Sequence, residues 1–103
     1  MRERYLTVPL NEKGKEEYDF GYDHKDNLKN IVLSEDEFNH LAQSGVFNHI
    51  NDMCGLMIDD YESEIISSSD LKKCLDELND YEGDFLRASK LAIQYNTFLA
   101  LDF

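Results

Sequence analysis

Leu6, Val8 and Leu10 alternate with Tyr5, Thr7 and Pro9, the pattern of a strand with one buried face. Pro9 cannot donate to a hydrogen-bond ladder, which suits an edge or a strand end. Asn11-Glu12-Lys13-Gly14-Lys15 predicts a turn, with Gly14 able to take a positive φ. Tyr18, Phe20 and Tyr22 alternate with Asp19, Gly21 and Asp23 and predict a second strand, so the two strands are expected to pair as a β-hairpin. Residues 23–28 read as a loop. Ile31-Val32-Leu33 reads either as a short third strand or as the lead-in to a helix.

From there the period lengthens. Ser34 followed by Glu37 predicts a capping box, and Glu35, Asp36 and Glu37 together suit the positive end of a helix dipole. Leu33 and Phe38 are placed for a hydrophobic staple, and Phe38, Leu41 and Ala42 make the apolar stripe before Ser44-Gly45 ends it. Val46, Phe47, Ile50, Met53, Cys54 and Met57 predict a second helix, ended or frayed by Gly55. Residues 58–69 fit either an extended loop or more helix. Ser67 to Asp70 cap a third helix carrying Leu71, Cys74, Leu75 and Leu78, and residues 79–83 break it. Asp84 starts a fourth, with Phe85, Ala88, Leu91, Ala92 and Tyr95 on one face and Asn96 as a left-handed cap. The closing stretch, residues 97–103, is apolar on both alternating faces, which predicts a central strand beside the hairpin. The expected fold class is α+β: a small, mainly antiparallel sheet (N-terminal hairpin plus C-terminal strand) packed with about four helices.

Composition adds that the 103 residues make one domain, 1–103, with 42% apolar residues and six each of Phe and Tyr for a core. The charge changes the picture more. Twenty-two acids against 10 bases leave a net charge of −12, which repels nucleic acid and anionic membrane. No apolar run is long enough to span a membrane, and Met1-Arg2-Glu3-Arg4-Tyr5 leads into no apolar signal region. Cys54 and Cys74 fall on apolar stripes, as buried thiols do in a reducing compartment, so a cytoplasmic location is expected.

Catalytic signatures are missing. There is no glycine-rich phosphate loop, no HExxH, no CxxC and no GxSxG. His24, His40 and His49 lack ligand spacing, although His40 with Glu37 and His49 with Asp52 are i,i+3 pairs. Asp59 to Asp70 has the length of a calcium loop without its Asp/Asn alternation or central Gly. The acids offer no carboxylate pair in visibly unlike environments. Neither an enzyme nor a cofactor or metal site is expected.

Asn30 to Leu71 contains no Lys or Arg and nine acids. A helical surface shaped only by stability mixes signs, because opposite charges at i,i+4 help and like charges hurt. Within the span, Asp59, Asp60, Glu62 and Glu64 surround Tyr61, a set suited to gripping Lys and Arg around an aromatic anchor. Asp76, Asp80 and Glu82 repeat the theme around Tyr81 and, with Asp52, make the expected rim.

The helical opening LSEDEFNHLAQSGVFNHIND, the acidic IDDYESE and the closing FLALDF resemble small immunity proteins of bacterial toxin systems, including those of contact-dependent growth inhibition. The resemblance covers residues 28–103. It implies a cytoplasmic inhibitor that neutralises a cognate toxin, often a nuclease with a basic cleft, the acids of 58–64 covering that cleft. The expected partner is thus a basic protein and not nucleic acid or membrane. Two other readings share the same residues: a phage-type DNA mimic acting on a nuclease or defence complex, and a non-enzymatic adaptor. Oligomeric state and toxin class are left open by the sequence.

Overall fold

Asn11 sets the first departure from the expected hairpin. Its Oδ1 accepts from the Gly14 N–H at 2.8 Å, capping a helix where a turn and a second strand are expected. The computed structural model describes residues 3–20, 27–58 and 63–103. In chain order these hold β1 (Arg4–Pro9), α1 (Glu12–Phe20), β2 (Leu28–Leu33), α2 (Glu35–Ser44), α3 (Val46–Cys54), β3 (Ser63–Ser67), α4 (Ser68–Lys73), α5 (Leu75–Leu78), α6 (Asp84–Tyr95) and β4 (Phe98–Asp102). The four strands form one antiparallel sheet ordered β2-β1-β4-β3. The α+β class is as expected, with six helical segments among the described residues rather than four.

The strand expected over 18–22 is therefore helical through Phe20, and Gly21 and Tyr22 lie outside the described residues. Three alternating aromatics do not outweigh an Asn cap followed by Lys15, Glu16 and Glu17, which are good helix formers. Gly14 is needed for closeness, not for a turn: a Cβ there would stand 2.1 Å from the Asn27 carbonyl oxygen. Asn27 ties the segment together. Its carbonyl accepts from the Leu10 N–H, its Oδ1 accepts from Asn11 Nδ2, and its Nδ2 donates to the buried Glu17. The partner of β1 is β2, paired from Arg4↔Leu33 to Pro9↔Leu28, so Ile31–Leu33 is strand and the start of β2 takes Leu28 from the expected loop.

The sheet separates two layers. Leu6, Val8, Leu99 and Leu101 alternate onto the face met by α6, which packs on β1, β2 and β4. On the opposite face Tyr18 of α1 meets Phe98 edge-on at 5.5 Å. Leu99, Ala100 and Leu101 are all buried, because β4 is central and covered on both sides as expected. It inserts between β1 and β3, not beside a hairpin. β3 itself occupies residues 63–67, where loop or helix is expected. Only Ile66 of this edge strand is fully buried, too little alternation to announce a strand.

Helices α2 and α3 meet at Gly45 and pack an aromatic cluster. Phe38, Phe47, Phe85 and Phe103 lie with ring centroids 5.2–5.8 Å apart in successive pairs. The Arg4 guanidinium stacks over Phe38 at 3.8 Å and pairs with Glu35, so a buried cation closes one end of the core. Four expected stripe positions are not in it. Ala42 is exposed, Met53 and Tyr95 are each 44% exposed, and Met57 lies past the end of α3 at 78% exposure. The third helix also divides: Cys74, at φ −97° and ψ 1°, separates α4 from α5.

Ser34 caps α2 through its Oγ, which accepts from the Glu37 N–H. The reciprocal half of the capping box is replaced. Glu37 Oε1 accepts from Asp84 N–H at 3.0 Å and Oε2 from Phe85 N–H at 2.9 Å, so this carboxylate caps α6. Gly83, the residue at the α6 cap position, has no side chain to do so and sits at φ 155°. A Cβ on Gly83 would come within 2.7 Å of Glu37 Oε2. Glu37→Ala is expected to destabilise the fold by about 1–3 kcal/mol, since two buried-end N–H groups lose a charged acceptor. Asp36→Ala, one residue earlier and exposed, should change stability by less than about 0.5 kcal/mol. Urea unfolding of both variants checks the pair.

Candidate functional site

The acids singled out by sequence divide into three groups. Asp59, Asp60, Tyr61 and Glu62 lie outside the described residues. The two positions that flank them are fixed. Ile58 is buried, its N–H donating to Asn51 Oδ1 at 2.7 Å and its carbonyl accepting from Asn51 Nδ2 at 3.1 Å. Ser63 begins β3 and hydrogen-bonds to Asp102. A cleft of about 560 Å³ opens here, lined by Asn48, Asn51, Leu56, Met57, Ile58, Ser63 and Glu64.

Glu64 has an internal task. Its Oε2 accepts from the Met57 N–H and its Oε1 from the Ile65 N–H, each at 3.1 Å. The half-buried carboxylate thus fastens the chain after α3 to the start of β3.

Asp52, Asp76, Asp80 and Glu82 are exposed, and among the described residues none of them pairs with a Lys or Arg. α3 and α5 meet through His49 and Glu77. His49 Nε2 on α3 lies 3.6 Å from Glu77 Oε1 on α5, so the histidine faces Glu77 rather than its i,i+3 neighbour Asp52. Ser44, Gly45, Val46, His49, Glu77 and Tyr81 line a second cleft of about 220 Å³ at this junction. Asp76 and Asp80 flank Glu77 on one side of the junction, and Asp52 follows His49 on the other. Tyr81 is committed to packing: it lies against the core, its ring 5.9 Å from that of His40. Glu82 adjoins Gly83, where the N-termini of α2 and α6 converge. Both termini favour negative charge, which lets Glu35, Asp36, Glu37 and Asp84 accumulate there.

Four of the eight described bases are paired elsewhere. Arg4 pairs with Glu35 at the core edge, while Lys15 with Glu12, Lys73 with Asp70 and Arg87 with Asp84 form i,i+3 pairs within single helices. No three of His, Cys, Asp and Glu come together among the described residues to hold a metal. No described helix is long and apolar enough to cross a membrane.

Sequence reasoning missed the roles of Glu37, Glu64 and His49. A signal existed for the first. The stretch Asn79-Asp80-Tyr81-Glu82-Gly83 ends on a residue that cannot cap, so the helix starting at Asp84 must borrow an acceptor. Nothing local marks the other two, because their partners are set by packing.

Cys54 and Cys74 are both free. Cys74 is fully buried and Cys54 half-buried, with their sulfurs 3.7 Å apart. Burial, then the hydrogen bond and nearby charge of Cys54, push the Cys74 thiol up to about 11. No protein family, curated protein or solved structure matches the chain.

The thiol predicts an alkaline weakness. Folding favours the neutral form, so the native chain holds the Cys74 proton more tightly than the unfolded chain does. The resulting stability is complete below the ordinary thiol value of 9.0 and drains away as pH rises toward about 11. Urea unfolding of the wild type and Cys74→Ala at pH 8 and 10.5 is the measurement, both chains kept reduced. The wild type's advantage should shrink by about 1–2 kcal/mol between the two. Taking the difference cancels Tyr5 and Tyr18, raised respectively by the Glu3 hydrogen bond and by burial.

Proposed function

We propose that this protein binds a basic protein partner and blocks it, in the manner of a toxin-immunity inhibitor, and that the partner is a nuclease domain with a cationic cleft. One observation carries the reading. The span from Asn30 to Leu71 has no base, and the exposed Asp52, Asp76, Asp80 and Glu82 stand without a basic partner among the described residues. Like charges left uncompensated on a small domain cost stability through self-repulsion. A partner that supplies the missing cations offsets that cost and gains fast, steered association.

The surface divides by task. Asp59, Asp60 and Glu62 with Tyr61 form the proposed centre, in sequence between Ile58, clamped by Asn51, and Ser63, the first residue of β3. Asp52, Asp76, Asp80 and Glu82 form the rim along α3, α5 and the turn before α6. Glu64 supports the centre by fastening Met57 to β3, rather than by meeting the partner directly.

The test is capture on the immobilised protein, at low and high salt, of a nuclease domain encoded beside it. Retention at low salt, release at high salt and loss of nuclease activity in the complex are expected. No retention, or binding indifferent to salt, overturns the proposal. Reversing the rim with Asp76→Lys and Asp80→Lys should slow association by about tenfold while leaving dissociation nearly unchanged. Asp60→Lys or Glu62→Lys at the centre should cost about 2–5 kcal/mol of affinity, read mainly in the dissociation rate. Surface plasmon resonance separates the two effects, and centre reversals that leave affinity within about twofold overturn the assignment of the patch.

A further inference from the structure

We propose that Cys54 and Cys74 are a redox modification site, closing to an intramolecular disulfide when a two-electron oxidant such as hydrogen peroxide reaches the reduced chain. The sulfurs already touch at 3.7 Å. A disulfide needs about 2.05 Å, so they must approach by roughly 1.7 Å. Both positions stand at helix ends. Cys54 is the last residue of α3, followed by Gly55 in the left-handed region at φ 66°. Cys74 sits in the break between α4 and α5, outside regular helical geometry at φ −97° and ψ 1°.

The two thiols differ in access, which sets the order of steps. Cys54 is half-buried and meets peroxide first, whereas Cys74 is fully buried behind it. The Cys54 thiolate attacks one peroxide oxygen, the O–O bond breaks, and the departing hydroxide takes a proton to leave as water. Cys54 is then a sulfenic acid. The Cys74 sulfur attacks the Cys54 sulfur, the S–O bond breaks, and the Cys74 proton leaves with that hydroxide as a second water. Two thiols are oxidised and one peroxide is reduced to two waters.

The consequence reaches the acidic segment. The bond would join positions 20 apart and close a loop containing residues 58–64 and all of β3. It would pin the end of α3 to the start of α5 across that loop. Met53 Sδ, 3.9 Å from Cys74, is the competing oxidation target.

Reduced full-length protein is treated with hydrogen peroxide and followed by intact mass and by non-reducing peptide mapping. The expected product is a monomer lighter by two hydrogens that yields a linked Cys54–Cys74 peptide. In glutathione redox buffer, closure should be about tenfold or more favourable in the native chain than in urea, since the fold holds the pair together. Cys74→Ser should accumulate a Cys54 sulfenic acid trapped by dimedone, and Cys54→Ser should leave Cys74 unmodified. Circular dichroism confirms the fold of each variant, and if one fails to fold the wild-type comparison decides alone. Oxygen added at Cys54 or Met53 without a linked peptide, bridges only between chains, or closure no more favourable than in urea would each overturn the proposal.

Discussion

The carboxylate of Glu37 holds two helices at once, and the arrangement of the domain depends on it. A helix start leaves N–H groups without partners, and α6 begins at a glycine that offers none. Glu37 reaches from the first turn of α2 to accept from the N–H groups of Asp84 and Phe85. This fixes α2 against the N-terminus of the helix that crosses β1, β2 and β4. The next residue on each helix, Phe38 and Phe85, then enters the same aromatic cluster with Phe47 and Phe103. Polar and apolar contacts thus fix the same geometry, one by direction and the other by area.

That arrangement also sorts the charge of the protein. Some acids are structural: Glu37 caps α6, Glu35 holds the stacked Arg4, Glu17 accepts from Asn27, and Glu64 joins two chain segments. Others are exposed and make no such contact among the described residues, Asp36, Asp52, Asp76, Asp80 and Glu82 among them. The net charge of −12 therefore has two origins. Only the second group is free to act outward, and four of the five acids just named lie on α3, α5 and the neighbouring turn. The same packing of α3 against the α4–α5 break brings the two thiols into contact.

Much of this was legible in the chain where a local rule has a local partner. Ser34, the apolar stripes of α2, α3 and α6, the left-handed Asn96 at the end of α6 and the doubly covered β4 all follow from neighbours within a few residues. The misread segments are those decided at longer range. Tyr18, Phe20 and Tyr22 alternate like a strand, yet the Asn11 cap and the Asn27 hydrogen bonds go with a helix over Glu12–Phe20. Residues 63–67 show no strand pattern, because an edge strand buries little and draws its definition from pairing with β4.

By itself, then, the sequence determined the α+β class, the apolar stripes of α2, α3 and α6 and the concentration of acid without bases between Asn30 and Leu71, because period, capping and charge are properties of neighbours along the chain. Tertiary structure decided which acids are occupied, that Glu37 serves a helix 47 residues away, and that Cys54 meets Cys74. The physical reason is that a hydrogen bond or a sulfur contact requires two groups within a few ångströms, and for residues distant in sequence only packing sets that separation.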